Sequence, residues 1–303
     1  PTLTKLTSTL CDEAFHFEQW LTSPYMPTPT IIEAAQALYR GHDVKEISRS
    51  DAGAYNLSLT TKALNRIIEQ SKQHHEKSIC FVTGVPGAGK TLVGLNIANE
   101  RHQYDEQEHA VFLSGNGPLV AVLREALARD EIKRFKGKIT KTASKRKVAA
   151  FIQNIHHFRD AYLPPSEQVP AEKVAIFDEA QRAWTKEQTA KFMLKRHVPA
   201  WNMSEPEFLI SVMDRHQDWT VIICLIGGGQ EIHTGEAGLL AWFDALRDHF
   251  PHWNVYVSPQ ISDVEYTHGK PLEHLFTGLR LYREPNLHLS VSLRSFRNER
   301  VSA

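Results

Sequence analysis

The chain is poor in the features that define several protein classes. Only 3 of its 303 residues are cysteine, and Cys11, Cys80 and Cys224 lie too far apart for a disulfide framework or a zinc site. The longest apolar runs, such as 221–226, are far shorter than the roughly 18–20 residues that cross a bilayer. No charged-then-apolar signal segment opens the chain. We therefore predict reduced thiols, no membrane partner and a cytoplasmic location.

Neither sign of charge is in excess, because 35 Lys and Arg residues balance 35 Asp and Glu residues to a net charge of +0. The strongly basic balance that most simply indicates nucleic-acid binding is missing, so any such binding has to depend on a local cluster. The composition, 42% apolar and 23% charged, is that of an ordinary globular protein. The length allows two average domains or one large α/β domain with additions.

From about Leu57 onward, short apolar runs alternate with amphipathic segments, which indicates an α/β fold with a parallel sheet covered by helices on both faces. The predicted strands are Ile79–Thr83, Ala110–Leu113, Val174–Phe177, Val221–Ile226, Asn254–Val257 and Leu287–Leu293. The predicted helices are Leu59–Gln73, Thr91–Arg101, Leu119–Ala128, Lys147–Asp160 and one that begins at the capping box Ser204–Glu207. Residues 1–56, with a helical pattern over Ile31–Tyr39, are expected to form a small, mostly helical N-terminal appendage.

A glycine-rich turn follows the first predicted strand and leads directly into a helical pattern. It reads Gly84-Val85-Pro86-Gly87-Ala88-Gly89-Lys90-Thr91 and matches the phosphate-binding pattern G-x-x-x-x-G-K-[ST]. Glycines let backbone N–H groups close on a phosphate, Lys90 neutralises phosphate charge, and the Thr91 hydroxyl can ligate Mg²⁺. The alternative is a purely structural glycine turn, and the strand before the pattern and the helix after it make a chance match less frequent.

Two carboxylates follow another apolar strand 88 residues after Lys90 (178 − 90). Ligands bind at the carboxyl ends of strands in open α/β sheets, so Asp178 and Glu179 are expected at the same edge as the phosphate loop. Asp178 would hold Mg²⁺, and Glu179 would polarise the attacking water. Alone, an Asp-Glu pair is more often the start of a helix, so the prediction depends on the pairing with the loop.

Two further elements are candidates for the same site. The strand 221–226 runs into Gly227-Gly228-Gly229-Gln230, where the amide of Gln230 could contact the γ-phosphate or its water. Near the end of the chain, Leu289-Ser290-Val291-Ser292-Leu293-Arg294-Ser295 carries an arginine that could stabilise charge on a transferring phosphoryl group. The alternatives are a flexible turn at Gln230 and an ordinary surface arginine at Arg294.

One segment departs from the average charge. Between Lys133 and Lys147 there are eight basic residues and no acidic residue. Either the segment is a solvated loop, or it is a flexible arm that contacts nucleic-acid phosphates.

The order of these motifs resembles motifs I to IV of superfamily 1 helicases. More specifically, 155–160 (Ile-His-His-Phe-Arg-Asp), 177–184 (Phe-Asp-Glu-Ala-Gln-Arg-Ala-Trp) and the run after Gly227 resemble the Schlafen-type, group 3-like DNA/RNA helicase-like family. The resemblance implies a RecA-like P-loop NTPase core at 57–285 and the start of a possible second RecA-like domain at 286–303. It also implies ATP as the bound nucleotide, and DNA or RNA as the partner. Motif Ia of helicases corresponds to Ser114-Gly115-Asn116-Gly117-Pro118, a second candidate contact beside Lys133 to Lys147.

The sequence leaves two functions open. The first is an ATP-hydrolysing, nucleic-acid-dependent core in which Glu179, Gln230 and Arg294 act on the phosphoryl group. Only nine residues follow Arg294 (303 − 294), so a complete second motor domain is not expected in this sequence. The second function is therefore an ATP-dependent switch that presents a surface to a protein partner with little turnover.

Overall fold

The computed structural model describes residues 29–42, 47, 51–104, 109–196, 198, 201–227, 238–262 and 276–292. Its strands are β1 Lys77–Gly84, β2 Ala110–Ser114, β3 Ile152–Asn154, β4 Val174–Asp178, β5 Thr220–Leu225, β6 Asn254–Val257, β7 Arg280–Arg283 and β8 His288–Leu289. Its α-helices are α1 Ile31–Tyr39, α2 Asp51–His74, α3 Lys90–Tyr104, α4 Gly117–Arg134, α5 Lys141–Phe151, α6 Ile155–Ala161, α7 Lys186–Lys195, α8 Glu205–Asp214 and α9 Leu240–His249.

The strands form one parallel sheet in the order β3-β2-β4-β5-β1-β6-β7, and β8 pairs with the end of β1. Strand β5 lies between β1 and β4, with Ser78 opposite Val221 and Val174 opposite the same residue. All strands point the same way, so their carboxyl ends meet at one edge. The phosphate loop after β1 and the carboxylates at the end of β4 therefore face one region, separated by the width of a single strand.

Both faces of the sheet are buried, because side chains alternate between two apolar layers along each central strand. In β1, Cys80 and Val82 belong to the layer under α1 to α5, whereas Ile79 and Phe81 belong to the layer under α6 to α9. The α/β fold with a parallel sheet and helices on both faces, predicted from sequence, is thus confirmed. No helix in the described ranges is long and apolar enough to span a membrane.

The structure corrects several predicted elements. The helix expected over 147–160 is wrong: α5 ends at Phe151, and Ile152–Asn154 pair with Phe112–Ser114 of β2 before α6 begins. This pairing overrides a local pattern that reads as helix. The strand expected over 287–293 is limited to His288–Leu289, after a 3₁₀ turn at Pro285–Leu287. Strands β3 and β7 were not predicted; β3 is too short for an apolar pattern, and the side chains of β7 are mostly exposed.

The N-terminal part contributes to the core of the sheet domain. Helix α1 begins with the capping box of Thr30 and Glu33 and buries Ala34, Ala35 and Leu38 in the layer above α3 and α4. Helix α2 begins at Asp51, eight residues before the predicted start at Leu59, so the predicted boundary between residues 56 and 57 falls inside a helix. The division into 1–56, 57–285 and 286–303 stays a prediction.

Candidate functional site at the carboxyl edge of the sheet

The phosphate loop, Gly84–Thr91, connects the end of β1 to the first residues of α3. Gly87 and Gly89 have φ angles of 76° and 91°, a left-handed backbone that other residues adopt only with strain. A Cβ atom on Gly84 would lie 2.7 Å from the carbonyl oxygen of Leu289. The glycines are therefore needed here for the curvature of the loop and for the close approach of β8.

Lys90 folds back over this loop. Its Nζ donates hydrogen bonds to the carbonyl oxygens of Gly84 (2.6 Å) and Val85 (3.1 Å). Burial lowers the pKa of Lys90, whereas the negative charges of Glu179 and Asp178 act in the opposite direction. The lysine charge is thus held at the mouth of the loop on two weak backbone acceptors, which a phosphate can replace.

The side chains predicted to hold Mg²⁺ are in direct contact. The Thr91 hydroxyl donates to Asp178 Oδ1 at 3.1 Å, and Asp178 is 9% exposed. Burial raises the pKa of Asp178 to about 6; repulsion from Glu179 adds to this, and the Thr91 hydrogen bond and Lys90 oppose it. The positive charge of Lys90 therefore compensates this carboxylate only in part.

The donor set fits magnesium, a hard cation that takes oxygen ligands and needs few from the protein when phosphates and water complete its shell. A hydroxyl and a carboxylate oxygen stand side by side where the loop ends. Among the described residues, no group of three or more His, Cys, Asp or Glu could hold a metal by itself. A cation at this place would depend on Thr91, Asp178 and a bound phosphate together.

Glu179 differs from Asp178 in its surroundings. Its backbone is left-handed (φ 53°, ψ 47°), which costs energy for a non-glycine residue and is found preferentially at functional sites. Its side chain is 40% exposed and pairs with Arg182, with Oε2 and Nε 2.8 Å apart. To orient a water molecule, this carboxylate has to replace its ion pair with Arg182 by a hydrogen bond from the water.

Two of the predicted site residues, Gln230 and Arg294, lie outside the described residues. The described residues next to them reach the site. The N–H of Gly227, three residues before Gln230, donates to Gln181 Oε1 at 3.1 Å. The carbonyl of Leu289, five residues before Arg294, accepts from the N–H of Val85 at 3.0 Å.

Helix α2 holds the segment that reaches the phosphate loop, a role that the sequence did not indicate. Asn56 accepts from the N–H of Ser290 (2.9 Å) and donates to the carbonyl of His288 (3.3 Å). Thr60 donates to the carbonyl of Asn286 at 2.7 Å. The partners are more than two hundred residues apart in sequence, so no local pattern could have identified this contact.

The loop Ser114–Pro118, the first candidate nucleic-acid contact, follows β2 and begins α4 beside the carboxylates. Asn116 caps the helix by accepting from the N–H of Leu119 at 3.1 Å, and its own N–H donates to Ser114 Oγ at 3.2 Å. The first three residues of the loop, 114–116, line a cavity of about 470 Å³ that also touches Thr91, Asp178 and Glu179. The structure thus brings this loop to the candidate site, with its conformation fixed by internal hydrogen bonds.

The basic segment from Lys133 to Lys147, here named the basic hairpin, is neither a loop nor a flexible arm. It comprises the end of α4, a turn at 135–140 and the first part of α5. Glu125 of α4 pairs with Lys141 (3.5 Å) and Lys145 (2.7 Å). Buried Glu131 pairs with Lys147 at 2.9 Å, and buried Asp130 pairs with Arg134 at 3.3 Å.

Part of the hairpin charge stays free of such pairs. The structure gives no ion pair among the described residues to the exposed side chains of Lys133, Lys136, Lys138 and Arg146. The tip of the hairpin also carries Phe135, which is 47% exposed. Two of these four cations, Lys136 and Lys138, lie in the turn at the tip, and the other two lie on the flanking helices.

Comparison with known proteins agrees with this geometry. The family model described as "Schlafen group 3, DNA/RNA helicase domain" matches residues 77–303. Among curated proteins, none is significantly similar to the chain.

Two solved structures are similar to the chain in part. The Hef helicase domain of Pyrococcus furiosus is 14% identical over 68% of this chain and 40% of the other, with a TM-score of 0.34. The Aeropyrum pernix ORC2 protein, solved as ADPNP-ADP complexes, is 12% identical over 76% of this chain and 46% of the other, with a TM-score of 0.27. The chain spans less than half the length of either structure. The family match covers most of the chain, including β1 and the site described above, and the chain belongs to the Schlafen group 3 DNA/RNA helicase domain family.

Proposed function

We propose that the chain is an ATP-binding and ATP-hydrolysing helicase-like core whose turnover depends on DNA or RNA. The observation that carries the proposal is the convergence of Lys90, Thr91 and Asp178 at one edge of the sheet, with Thr91 and Asp178 3.1 Å apart. Membership of a helicase-domain family supports the nucleic-acid part. The cytoplasmic location stays a prediction.

In this proposal, the backbone N–H groups of Gly84–Thr91 and the Lys90 ammonium bind the β- and γ-phosphates. To do so, Lys90 exchanges its hydrogen bonds to the carbonyls of Gly84 and Val85 for the phosphates. The attraction between its charge and the phosphates is stronger than in water because the site is partly buried. Thr91 and Asp178 would hold Mg²⁺, which when bound neutralises charge on the phosphates.

Glu179 is proposed to orient a water molecule for in-line attack on the γ-phosphorus. The new bond joins the water oxygen to phosphorus, the bond to the β–γ bridging oxygen breaks, and ADP and inorganic phosphate are the products. Gln230 is proposed to contact the γ-phosphate or its water, and Arg294 to stabilise the charge that develops on the phosphoryl group. In the free protein Glu179 pairs with Arg182, so we infer that release of this pair accompanies activation.

The test is steady-state ATPase activity with and without single-stranded DNA or RNA at low salt. Stimulation is the expected result, and its absence would contradict nucleic-acid dependence. Glu179→Gln should retain nucleotide binding and lower turnover by about 100-fold or more, since a positioned base contributes 10²–10⁴-fold. The matched control is Glu167→Gln, an exposed carboxylate away from the site, which should hydrolyse ATP at the normal rate.

A specific observation also favours the ATP-dependent switch. The ion pair of Glu179 and Arg182 leaves the water-orienting carboxylate engaged in the free protein. Tight nucleotide binding together with negligible turnover, with and without nucleic acid, would support a switch that acts on a protein partner. Full activity of Glu179→Gln would exclude the water-orienting role in either case.

A further inference from the structure

Strand β8 lies directly against the first turn of the phosphate loop. It pairs in parallel with the end of β1, where Gly84 stands opposite Leu289. The carbonyl of Leu289 accepts from the N–H of Val85 at 3.0 Å, and a Cβ atom on Gly84 would lie 2.7 Å from both the Cβ atom and the carbonyl oxygen of Leu289. The start of the loop and β8 are thus in backbone contact, so a shift of β8 has to move the loop.

The opposite side of β8 is held by one side-chain amide of α2. Asn56 Oδ1 accepts from the N–H of Ser290 at 2.9 Å, and Asn56 Nδ2 donates to the carbonyl of His288 at 3.3 Å. In a parallel pair, a residue opposite Leu289 would use its own backbone for the same two bonds, to the groups on either side of Leu289. A side-chain amide carries a carbonyl and N–H donors of the same kind. Asn56 therefore takes the place of a neighbouring strand.

Further contacts fix α2 along the segment that leads into β8. The Thr60 hydroxyl, one turn further along the helix, donates to the carbonyl of Asn286 at 2.7 Å, and Arg66 forms an ion pair with Glu284. Thr60 is 0% exposed, so its hydroxyl depends on a partner within the protein. As α2 proceeds, its partners move back along the chain, and the helix backs the segment 284–290 from end to end.

Apolar packing alone would be enough to attach this segment to α2. Leu57 and Leu64 of the helix and Leu287 and Leu289 of the segment are all 0% exposed and belong to the same apolar layer. Such packing sets the distance between the two elements, but it is non-directional and does not set the register of a strand. The two hydrogen bonds of Asn56 do set it, and they thereby determine where the carbonyl of Leu289 meets the loop.

We propose that Asn56 is a positioning residue of the nucleotide site, through which helix α2 controls nucleotide affinity. By fixing β8, it holds the first turn of the phosphate loop in the conformation that accepts phosphates. The apparent affinity for a ligand falls with the fraction of molecules in the competent conformation. A loosened β8 should therefore weaken binding although no group that touches the nucleotide is removed. The proposal rests on the proposed function for its ligand and adds a control of that site from outside the ATP motifs.

The test compares two asparagines of the same helix. Asn56→Ala removes the contacts with β8, whereas Asn65→Ala, the matched control, removes bonds with Glu100 (3.0 Å) and Arg101 (3.1 Å) near the end of α3. Isothermal titration with a non-hydrolysable ATP analogue should show binding about 2- to 30-fold weaker in Asn56→Ala, the range for residues that modulate a site without touching its ligand. Asn65→Ala should bind with wild-type affinity.

Amide hydrogen exchange of the nucleotide-free protein gives a second readout, which needs no ligand. In Asn56→Ala, exchange should become faster in peptides that cover 84–91 and 286–290, and Asn65→Ala should leave both at the wild-type rate. If Asn56→Ala does not fold, Thr60→Val and Thr60→Ser take its place. Valine removes the hydroxyl and should cause the same two changes, and serine, which keeps the hydroxyl, should restore wild-type affinity and exchange.

Unchanged nucleotide affinity in Asn56→Ala would overturn the proposal. Faster exchange confined to 286–290 would do the same, because the loop would then be independent of β8. Equal weakening in Asn65→Ala would also overturn it, since a general loss of stability would explain both variants. A wild type that binds no nucleotide would contradict the proposed function, and the exchange of 84–91 in Asn56→Ala would then decide by itself whether α2 positions the loop.

Discussion

The phosphate loop and the basic hairpin both stand out in the sequence, but their basic side chains have different partners in the structure. In the loop, the single cation Lys90 is held on two backbone carbonyls, with the carboxylates of Asp178 and Glu179 nearby. In the hairpin, half of the eight basic residues pair with acidic residues of α4.

The difference teaches that spacing is more informative than charge density. The loop pattern specifies a backbone shape, and the shape follows wherever a strand leads into a helix. A run of lysines specifies nothing about the acidic residues that face it, and here these lie on the preceding helix. Changes to the two regions should therefore act on different properties, nucleotide affinity in one and stability or salt response in the other.

The largest effect is expected at the loop. Lys90→Ala should weaken ATP binding by about 30-fold or more, because loss of a partly buried charged partner costs about 2–5 kcal/mol and 1.4 kcal/mol is tenfold. Isothermal titration with a non-hydrolysable analogue measures it. The control is Lys191→Ala, an exposed lysine of α7, which should bind normally. Unchanged affinity in Lys90→Ala would mean that the loop does not bind the nucleotide through this lysine.

Within the hairpin, Lys147 is expected to matter for stability. Glu131 is 1% exposed and accepts from Lys147 (2.9 Å), Ser144 (2.6 Å) and Tyr39 (3.1 Å). Lys147→Ala leaves this carboxylate with hydroxyl partners alone, so the free energy of unfolding should fall by about 1–2 kcal/mol. Urea unfolding followed by circular dichroism measures the change. Arg146→Ala, its exposed neighbour without an ion pair among the described residues, should change it by less than about 0.5 kcal/mol.

The stability difference between wild type and Lys147→Ala should also depend on pH, which provides a further check. Burial acts to raise the pKa of Glu131, but the hydrogen bonds from Lys147, Ser144 and Tyr39 outweigh it and lower the pKa. A carboxyl group with a lowered pKa stabilises the fold above its unfolded value of about 4.3 and loses this contribution as the pH falls through the folded value. The difference in the free energy of unfolding between wild type and Lys147→Ala should therefore become smaller at acid pH. A gap that widens in acid would contradict this account.

The features that could be predicted from the sequence are those with a local pattern, and the features that could not be predicted depend on residues far away in the chain. The central strands were predicted within one or two residues, because burial on both faces makes them continuous apolar runs, and Lys90, Thr91 and Asp178 were correctly expected to meet at one edge. The short strand β3 and the contacts of Asn56 with His288 and Ser290 depend on partners distant in the chain. The buried pair of Arg159 and Glu205 could not be predicted either, since nothing local distinguishes a charged residue that will be fully buried.

The smallest effect, and the sharpest comparison, lies within the hairpin itself. Lys136→Gln with Lys138→Gln removes two free charges at the tip, and Lys141→Gln with Lys145→Gln removes two that Glu125 already offsets. Both variants change the net charge equally, so a response to net charge alone would be the same in both. If the tip contacts phosphates, the first pair should reduce the slope of log affinity against log salt by about 1.4, at about 0.7 per contact with a single strand. The second pair should reduce it less. Equal slopes in the two variants would mean that the hairpin acts only through its overall charge and makes no specific contact at the tip. An unchanged slope in the tip variant would mean that the tip does not contact nucleic acid and is ordinary solvated surface.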